Sequence, residues 1–410
     1  MIETKFKQTE IGLIPEDWEV CNIGSIANNF TGLTYSPNNV SKFGTLVLRS
    51  SNIQNDVLCF NNNVFVSMHI PDRAKAKLGD VLICVRNGSK ELIGKSALVT
   101  VNGMAFGAFM TVLRAQTINP KFLLFLWRSD FIQKQIKSSL GATINQITNA
   151  DIKRYIVALP PAKEQSNIAN VLTDIDSLLL SLDNLIAKKK AIKEGTMQQL
   201  LTGKKRLKGF DEPWVEKKLG EVVVVKRGVR VVKRQLIKDT LFPVFQNTTI
   251  PLGYFNKNNV KGGTPFVIIG GSAGQIGICE TDYWAADDCA YFDCGETMSK
   301  KFLYFLLLFH QREIQNNVRC ASVPRLDRKA LVDLLVSVPS PLEQQSIAQV
   351  LTNMDSEISA LEAKRKKYES VKQGMMQQLL TGKIRLTSTL KTKNYCFSEL
   401  ECDYGIVAEP

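Results

Sequence analysis

Histidine is scarce in this chain, with two residues among 410, and none of the nine cysteines forms a Cys-x-x-Cys pair. Zinc sites are usually built from such pairs or from clustered histidines, so the sequence argues against a zinc centre. No apolar run approaches the roughly 18 residues that a membrane helix needs, and the start of the chain does not resemble a signal peptide. We therefore expect a soluble, cytoplasmic protein with reduced thiols and no membrane contact.

Positive charge is abundant. The formal net charge is +13 and the isoelectric point is near 9.2. This excess favours a polyanionic partner, most often nucleic acid, although a solvated basic surface is the plainer alternative. A chain of 410 residues is long enough for two to three domains.

An internal repeat dominates the sequence. Residues 159–207 and 338–386 align without a gap, and 24 of the 49 aligned positions are identical. Each copy opens with prolines, which suit a helix start, and then has no proline for over forty residues. Apolar residues follow at alternating steps of four and three, as in Ile168, Leu172, Ile175, Leu179, Leu182 and Ile186. This heptad spacing predicts two long helices that pair antiparallel as a coiled coil.

Glycine recurs at equivalent positions of the two copies. Gly203 and Gly382 follow Leu-Leu-Thr and are plausible helix stops. Gly195 and Gly374 fall inside the helices, where each costs about 1 kcal/mol against alanine, so we expect another backbone to approach closely there. A tolerated defect is the alternative. The basic runs 188–190 and 364–367 indicate a solvated helix face or a contact with the DNA backbone.

Two dissimilar modules, residues 1–158 and 208–337, alternate with the repeat copies. Trp18 and Trp214 open them, and Gly32 and Gly228 follow at the same distance. Short β-rich runs come first and apolar helices last, which is typical of an α/β module. The predicted class is therefore α/β, with α+β modules plus two long antiparallel helices in a pseudo-two-fold repeat. The predicted segments are 1–158, 159–207, 208–337, 338–386 and a tail, 387–410, for which disorder is one interpretation.

Polar side chains follow two predicted strands of the first module. Sequence-specific DNA binding needs Arg, Asn or Gln at base edges and Lys or Arg on phosphates. After the strand at 46–48, the segment 49–54 offers Arg49, Asn52 and Gln54 as candidate base contacts. After the strand at 81–85, the segment 86–95 offers candidate phosphate contacts. These are Arg86, Asn87, Lys90 and Lys95. A plain turn is the alternative for the segment 49–54.

The densest basic patch lies at the start of the second module, at residues 226–235. We predict that it faces DNA, with an edge strand guarded by charge as the alternative. The candidate DNA contacts are Arg227, Arg230, Lys233 and Arg234. Residues 246–249 form a polar loop similar to the polar segments of the first module, with a weaker signal.

Two segments imitate enzyme motifs. Residues 88–96 resemble a phosphate-binding loop, but five residues separate the glycines where the motif has four. Residues 270–274 match the G-x-S-x-G nucleophile pattern around Ser272, which would need His310 or His69 as base. An apolar helix around His310 favours a structural histidine instead, and a glycine turn is the alternative for Ser272. The Asn/Asp-Pro-Pro-Tyr/Phe motif of adenine methyltransferases and an acidic helicase box are missing from the sequence.

The pattern PPxxEQxxIAxxL, a long helix and QQLLTGK, written twice around two dissimilar modules, resembles the specificity subunit of type I restriction–modification systems. The resemblance implies that each module is a target recognition domain for one half of a split, asymmetric double-stranded DNA site. It implies that the helices set the spacing and dock two modification subunits, and that restriction subunits then join. S-adenosylmethionine, ATP and magnesium are expected on those partners, with no cofactor or catalytic residue in this chain. The alternatives are a protein-binding coiled-coil scaffold and an orphan subunit.

Overall fold

The computed structural model describes residues 5–140, 145–237, 241–320 and 322–387, so the predicted tail lies, apart from Thr387, outside the described residues. The described chain divides into two compact units. One holds the residues up to Ser181 together with those from Arg365 onward, and the other holds Leu182–Lys364. Each long helix therefore contributes a segment to both units. The finer division into five segments remains a prediction.

In the described residues, the first unit combines short strands with four short helices, the start of one long helix and the end of the other. Its helices are α1 Ile23–Ile26, α2 Pro120–Arg128, α3 Asp130–Ser139, α4 Asn149–Arg154 and α5 Ala162–Leu200. Its strands are β1 Phe6–Thr9, β2 Gly12–Pro15, β3 Glu19–Asn22, β4 Ala27–Thr31, β5 Val40–Ser41, β6 Thr45–Leu48, β7 Ile53–Gln54, β8 Val57–Leu58, β9 Phe65–Val66, β10 Lys75–Ala76, β11 Val81–Cys84, β12 Ser96–Leu98, β13 Met104–Phe106, β14 Met110–Ala115 and β15 Ile156–Leu159.

Two larger sheets organise this unit, together with the strand pairs β1-β2, β7-β8 and β3-β15. An antiparallel sheet has the order β12-β11-β14-β4, and a mixed sheet has the order β10-β13-β6-β9-β5 with β13 parallel to β6. The last strand, β15, returns to pair with β3 near the start. The strand β11 is buried on both faces, as its all-apolar sequence predicts. The apolar helix α2 packs into the same core.

The second unit repeats this topology. Its helices are α6 Leu219–Val222, α7 Lys300–Phe309, α8 Gln311–Asn316, α9 Arg328–Val332 and α10 Pro341–Leu379. Its strands are β16 Val215–Lys218, β17 Val224–Arg227, β18 Phe242–Phe245, β19 Gly253–Phe255, β20 Pro265–Ile268, β21 Ile276–Ile278, β22 Trp284–Ala285, β23 Cys289–Asp293, β24 Val318–Arg319, β25 Arg325–Leu326 and β26 Leu335–Val338. The order β21-β20-β23-β17 mirrors the first unit's antiparallel sheet, β22 runs parallel to β18, and β26 pairs with β16.

The repeat explains how each module's long apolar helix begins. Asn119 caps α2 by accepting from the backbone N–H groups of two residues in its first turn, and Ser299 caps α7 in the same way with one. The backbone N–H of Asn119 donates to Gln165 Oε1 at 3.0 Å, and that of Ser299 donates to Gln344 Oε1 at 2.8 Å. Both glutamines are repeat residues, so the repeat fixes the start of a module helix in each unit.

The long helices α5 and α10 have 39 residues each, close to the predicted length. In the second unit, Lys189 pairs with Glu357 and Lys193 with Asp355, so the partner number falls as the helix number rises and the pairing is antiparallel. Gly203 and Gly382 adopt φ angles of +67° and +69° just after the helices, which confirms both predicted stops. The predicted α/β class with two long antiparallel helices and an internal repeat is confirmed.

One local prediction needs correction, and two further local features were not predicted. Apart from the chain neighbours and the nearby backbone of the same helix, no described atom lies within 4 Å of a Cβ built on Gly195 or Gly374, so the expected close approach of another backbone within the described chain is wrong. The apolar run at 222–225 is divided between two elements, because Val222 ends the short helix α6 and β17 begins at Val224. The returning strands β15 and β26 were not predicted, since each lies directly before a repeat proline and is only four residues long.

Candidate nucleic-acid interface

Four loop segments meet at one end of the first unit's sheets. The backbone N–H groups of Val85 and Arg86 donate to Phe109 O, that of Asn87 donates to Asn145 O, and that of Gly107 donates to Leu48 O. We call residues 49–51, 86–88, 107–109 and 145–147 the first loop cluster. Because the bonds join the ends of β6, β11 and β13 to a segment that follows α3, side chains far apart in sequence converge here.

Predicted DNA contacts lie together in this cluster. Arg86 is exposed and its guanidinium lies over the Phe109 ring, 5.1 Å from the centroid. Asn87 Nδ2 donates to Ser50 Oγ at 3.3 Å, which connects the two predicted segments. Arg49 Nη2 donates weakly to Asn62, at 3.4 Å. The cluster therefore presents two guanidinium groups and an amide at one surface, the groups that recognise base edges and phosphates.

Asn52 and Gln54 do not belong to this surface in the same way. Asn52 is fully buried, accepts from the backbone N–H of Arg49 at 3.0 Å and donates to Cys59 O at 3.0 Å. Its buried position argues for a structural role rather than a base contact. Gln54 is exposed in the β7–β8 hairpin, where its amide donates to Ser51 O.

Lys90 and Lys95 lie on the connection from β11 to β12. Lys90 is exposed in a single 3₁₀ turn, and Lys95 is half-buried just before β12. Because β11 and β12 pair antiparallel, this segment closes a hairpin instead of leading from a strand into a long helix. A phosphate-binding loop needs that helix, so the P-loop interpretation is not supported.

The second unit has a loop cluster held by equivalent bonds. The backbone N–H of Ile269 donates to Asp288 O, that of Gly271 donates to Pro324 O, and that of Ala286 donates to Phe245 O. We call residues 246–248, 270–272, 286–288 and 324–326 the second loop cluster. Its exposed or half-buried polar residues are Gln246, Asn247, Thr248, Ser272, Asp287, Asp288 and Arg325. The same topology thus presents a different set of side chains.

The predicted basic patch borders this second cluster. Its strand β17 is the edge strand of its sheet, as the charge-guarded alternative expected. Lys226 is paired with Asp293 at 2.7 Å, and this hydrogen bond holds the pKa of that carboxyl below its usual value. Arg227 Nε donates to Asp287 O at 2.8 Å, while Arg230 and Arg234 are exposed. The side chain of Lys233 lies outside what the structure describes.

Ser272 does not occupy a nucleophile elbow. Its loop joins β20 to β21, which pair antiparallel, whereas the elbow joins a strand to a helix. His310 is held by its helix neighbour Glu313, with 2.9 Å between Nδ1 and Oε2, and its ring packs edge-on against Phe309. The local geometry therefore gives Ser272 a turn role and His310 a structural one.

Buried polar atoms without a hydrogen-bond partner concentrate in the two clusters. In the described residues four such side-chain atoms occur, and three of them are Arg49 Nε, Ser51 Oγ and Asp287 Oδ1; the fourth is the Tyr155 hydroxyl. Such groups are uncommon in folded proteins because each loses its bonds to water. These atoms are available to a partner from outside the described chain, either water or a ligand.

Neither a metal centre nor a membrane segment is found among the described residues. Within them, His, Cys, Asp and Glu nowhere gather in a group of three or more that could hold a metal ion. In the same residues, the helices lack the combination of length and apolarity that crossing a bilayer requires. The seven described cysteines are free thiols.

The α/β topology occurs twice, and the two loop clusters have the same backbone arrangement but different side chains. This combination defines a two-domain recognition protein. The type I restriction modification DNA specificity domain matches the chain twice, over residues 15–194 and 211–371. The chain therefore belongs to the type I restriction–modification DNA specificity family. It is a specificity subunit with two recognition domains, not a catalytic subunit, and the scaffold alternative is not supported.

Relatives span the chain. The predicted type I restriction enzyme MjaX specificity subunit of Methanocaldococcus jannaschii is 27% identical over 426 residues, covering 94% of this chain and 97% of that protein. The EcoKI specificity subunit of Escherichia coli K12 is 32% identical over 185 residues, or 43% of this chain and 39% of that protein. The crystal structure of a type I restriction–modification S subunit from M. genitalium superposes with a TM-score of 0.64 at 18% identity, covering 92% and 99% of the two chains. That last likeness shows the fold.

Sequence reasoning missed Asp288 and Arg325. A signal for Arg325 was present, because the gap-free repeat frame extends upstream of residue 338. In that frame Thr148 corresponds to Asp327, and both cap a short helix. Gln146 then corresponds to Arg325, and both form an isolated bridge to a loop-cluster residue. The convergence with Asp288 depends on sheet pairing and has no local sequence signal.

Proposed function

We propose that each unit of this specificity subunit reads one half of a split DNA site and that the two halves differ in sequence. The observation that carries the proposal is the pair of loop clusters, built by the same backbone bonds but lined by different side chains. The equivalent backbones place the base-contacting residues at equivalent positions in the two units, while the different side chains select different bases. A palindromic site would instead require two identical modules.

The proposed contacts divide by chemistry. In the first unit, Arg49, Arg86 and Asn87 face base edges, whereas the exposed Lys90 and the half-buried Lys95 neutralise phosphates. In the second unit, Arg227, Arg230 and Arg234 are proposed phosphate contacts, since they lie on an edge strand and the loop beyond it. Phosphate contacts supply affinity that falls with salt, and base contacts supply the choice of sequence. The net charge of +13 supports this division.

The long helices have a second proposed role. We infer that α5 and α10 set the number of base pairs between the half-sites and dock two modification subunits, which restriction subunits then join. Linking two half-site readers makes the second contact intramolecular, so two weak readings act as one strong one. Chemistry would be supplied by the partners, which would carry S-adenosylmethionine, ATP and magnesium.

Methylome sequencing tests the proposal. A host that expresses this chain with its cognate modification subunit is compared with a host that lacks the chain. Methyladenine at one split, asymmetric motif that vanishes with the chain supports the proposal, and replacing residues 208–337 should then change only one half of that motif. A motif changed in both halves, or adenine methylation that never depends on the chain, would overturn it.

A further inference from the structure

We propose that Arg325 and Asp288 together read one G·C base pair in the half-site of the second unit. Arg325 would donate to guanine O6 and N7, and the Asp288 carboxylate would accept from the N4 amino group of the paired cytosine. Both groups project into the major groove from one base pair, so an Arg–carboxylate pair can contact them together. The inference rests on the proposed function and names its base chemistry.

The first argument is positional. In the first unit an isolated bridge joins Arg86 to Gln146, and in the second unit the equivalent bridge joins Gly270 to Arg325. Each unit therefore has one arginine at this bridge. The first partner along the chain carries it in the first unit, and the second partner carries it in the second unit. The fold does not need an arginine on either particular side, since the other side holds glycine or glutamine. What the two units share is a guanidinium at this place in the loop cluster, which favours a shared task in binding.

The second argument concerns the residue beneath that guanidinium. Phe109 and Asp288 are equivalent, because each accepts through its carbonyl oxygen from the residue that ends the central strand region, Val85 or Ile269. In the first unit Arg86 lies on the Phe109 ring. In the second unit Arg325 Nη1 lies 3.5 Å from Asp288 Oδ1. The two units thus present a cation on an aromatic ring in one case and a cation beside a carboxylate in the other.

A carboxylate at a DNA-binding surface repels phosphates, so its presence calls for a specific acceptor role. The backbone gives it room, because a Cβ built on Gly270 would lie 2.3 Å from Asp288 Oδ1. Any side chain at position 270 would therefore displace the carboxylate. Gly270, which leaves room for the carboxylate, occupies the position where the first unit has Arg86. The two units therefore differ together in the side of the bridge that carries the arginine and in the group beside its guanidinium.

The pair is placed for contact rather than for stability. The side chain of Arg325 is 61% exposed and that of Asp288 is 21% exposed. A single contact of 3.5 Å in such an exposed pair leaves most guanidinium N–H groups available and contributes little to folding. Asn247 is exposed in the same cluster, and the backbone N–H of Ser272 donates to Asn247 O, which ties the neighbouring loop to this surface.

The test uses the chain assembled with its modification subunit and a DNA library randomised across the half-sites, with adenine methylation as the readout. Arg325→Ala and Asp288→Ala are each expected to lower the preference for one G·C pair by about tenfold or more, at the same single position of one half-site. The other half-site keeps its sequence. Arg312→Ala, which removes an exposed arginine on α8 of the same unit, is the matched control and should leave the motif unchanged.

Each other result is decisive. An unchanged motif with either variant, or loss of preference at two unrelated positions, would overturn the inference. If Arg325→Ala abolishes methylation in an assembled complex, Arg325→Lys decides: methylation restored only at G·C supports the pair, and methylation restored at every base overturns it. Failure of the proposed function is distinguishable, because the unaltered chain would then direct no methylation at a split motif.

Discussion

Arg385 donates to both carboxylate oxygens of Glu164, from Nε to Oε1 at 2.9 Å and from Nη2 to Oε2 at 2.8 Å. Glu164 is 2% exposed, and it also accepts from the indole N–H of Trp18 at 3.1 Å. Hydrogen bonding to Glu164 raises the pKa of the Arg385 guanidinium, so Arg385 keeps its positive charge in this contact. The start of the first repeat is thereby tied to the end of the second and to the first module.

The same relationship recurs with the copies exchanged. In the second unit Arg206 donates to both oxygens of Glu343, which also accepts from Trp214. Lys372 pairs with Asp176 in the first unit and Lys193 with Asp355 in the second. Every one of these repeat residues is identical in the two copies. The identity is explained physically, because each copy must provide both halves of a contact that it makes with the other copy.

We expect Arg385→Ala to destabilise the first unit by about 3 kcal/mol or more, because it leaves a buried carboxylate without its cation. Thermal unfolding of the purified chain measures the effect. Arg206→Ala should act in the same direction on the second unit. Arg154→Ala is the control, since Arg154 is exposed and pairs only with Asp151 within one helix turn, and it should cost less than about 1 kcal/mol. Equal losses for Arg385→Ala and Arg154→Ala would contradict the prediction.

The repeat was the part of the fold that sequence could predict best. Heptad spacing and the absence of proline are local signals, so both long helices and their glycine stops followed from them. Pairing of β15 with β3 joins residues more than 130 positions apart and is decided by the tertiary fold. Neither of these four-residue strands carries a sequence signal for its partner.

The candidate site was predicted unevenly for a related reason. Arg49, Arg86 and Asn87 could be chosen because each follows a strong apolar strand, and strand ends often carry binding residues. Asn52 has the same local context, yet its side chain turns inward to close a loop. Asp288 lies next to Asp287, and a search for basic or amide side chains does not select an acidic pair. Only the sheet topology brings it beside Arg325.

The helix glycines should tolerate and even favour alanine. Gly195→Ala and Gly374→Ala are each expected to raise the free energy of unfolding by about 0.5–1 kcal/mol, because alanine is the better helix former and its Cβ would meet open space. Chemical denaturation measures the change. Gly203→Ala is the matched control, and it should destabilise because its φ of +67° strains any side chain. Destabilisation by all three variants would show that the helix positions are not open.

Asn52 offers a test that separates structure from recognition. Asn52→Ala removes an acceptor for the Arg49 N–H and a donor for Cys59 O, so we expect a loss of about 1–3 kcal/mol in unfolding free energy. The methylated motif should keep its sequence. Gln54→Ala is the nearby exposed control and should change stability by no more than about 0.5 kcal/mol. A changed methylated motif with an unchanged free energy of unfolding would contradict the structural role and support Asn52 as a base contact.

Cys320 provides a probe of the second loop cluster, because it is exposed and follows β24 in the segment that leads to Arg325. Buried thiols should react far more slowly; burial raises the pKa of Cys294 to about 11 and that of Cys289 higher still, so few thiolates form at neutral pH. In a chain with Cys396 and Cys402 replaced by serine, a maleimide at pH 7 should therefore label Cys320 first.

Target DNA bound to the assembled complex should slow this labelling. DNA altered only in the second unit's half-site should protect less, and equal protection by both DNAs would place the segment near the phosphate backbone instead of the bases.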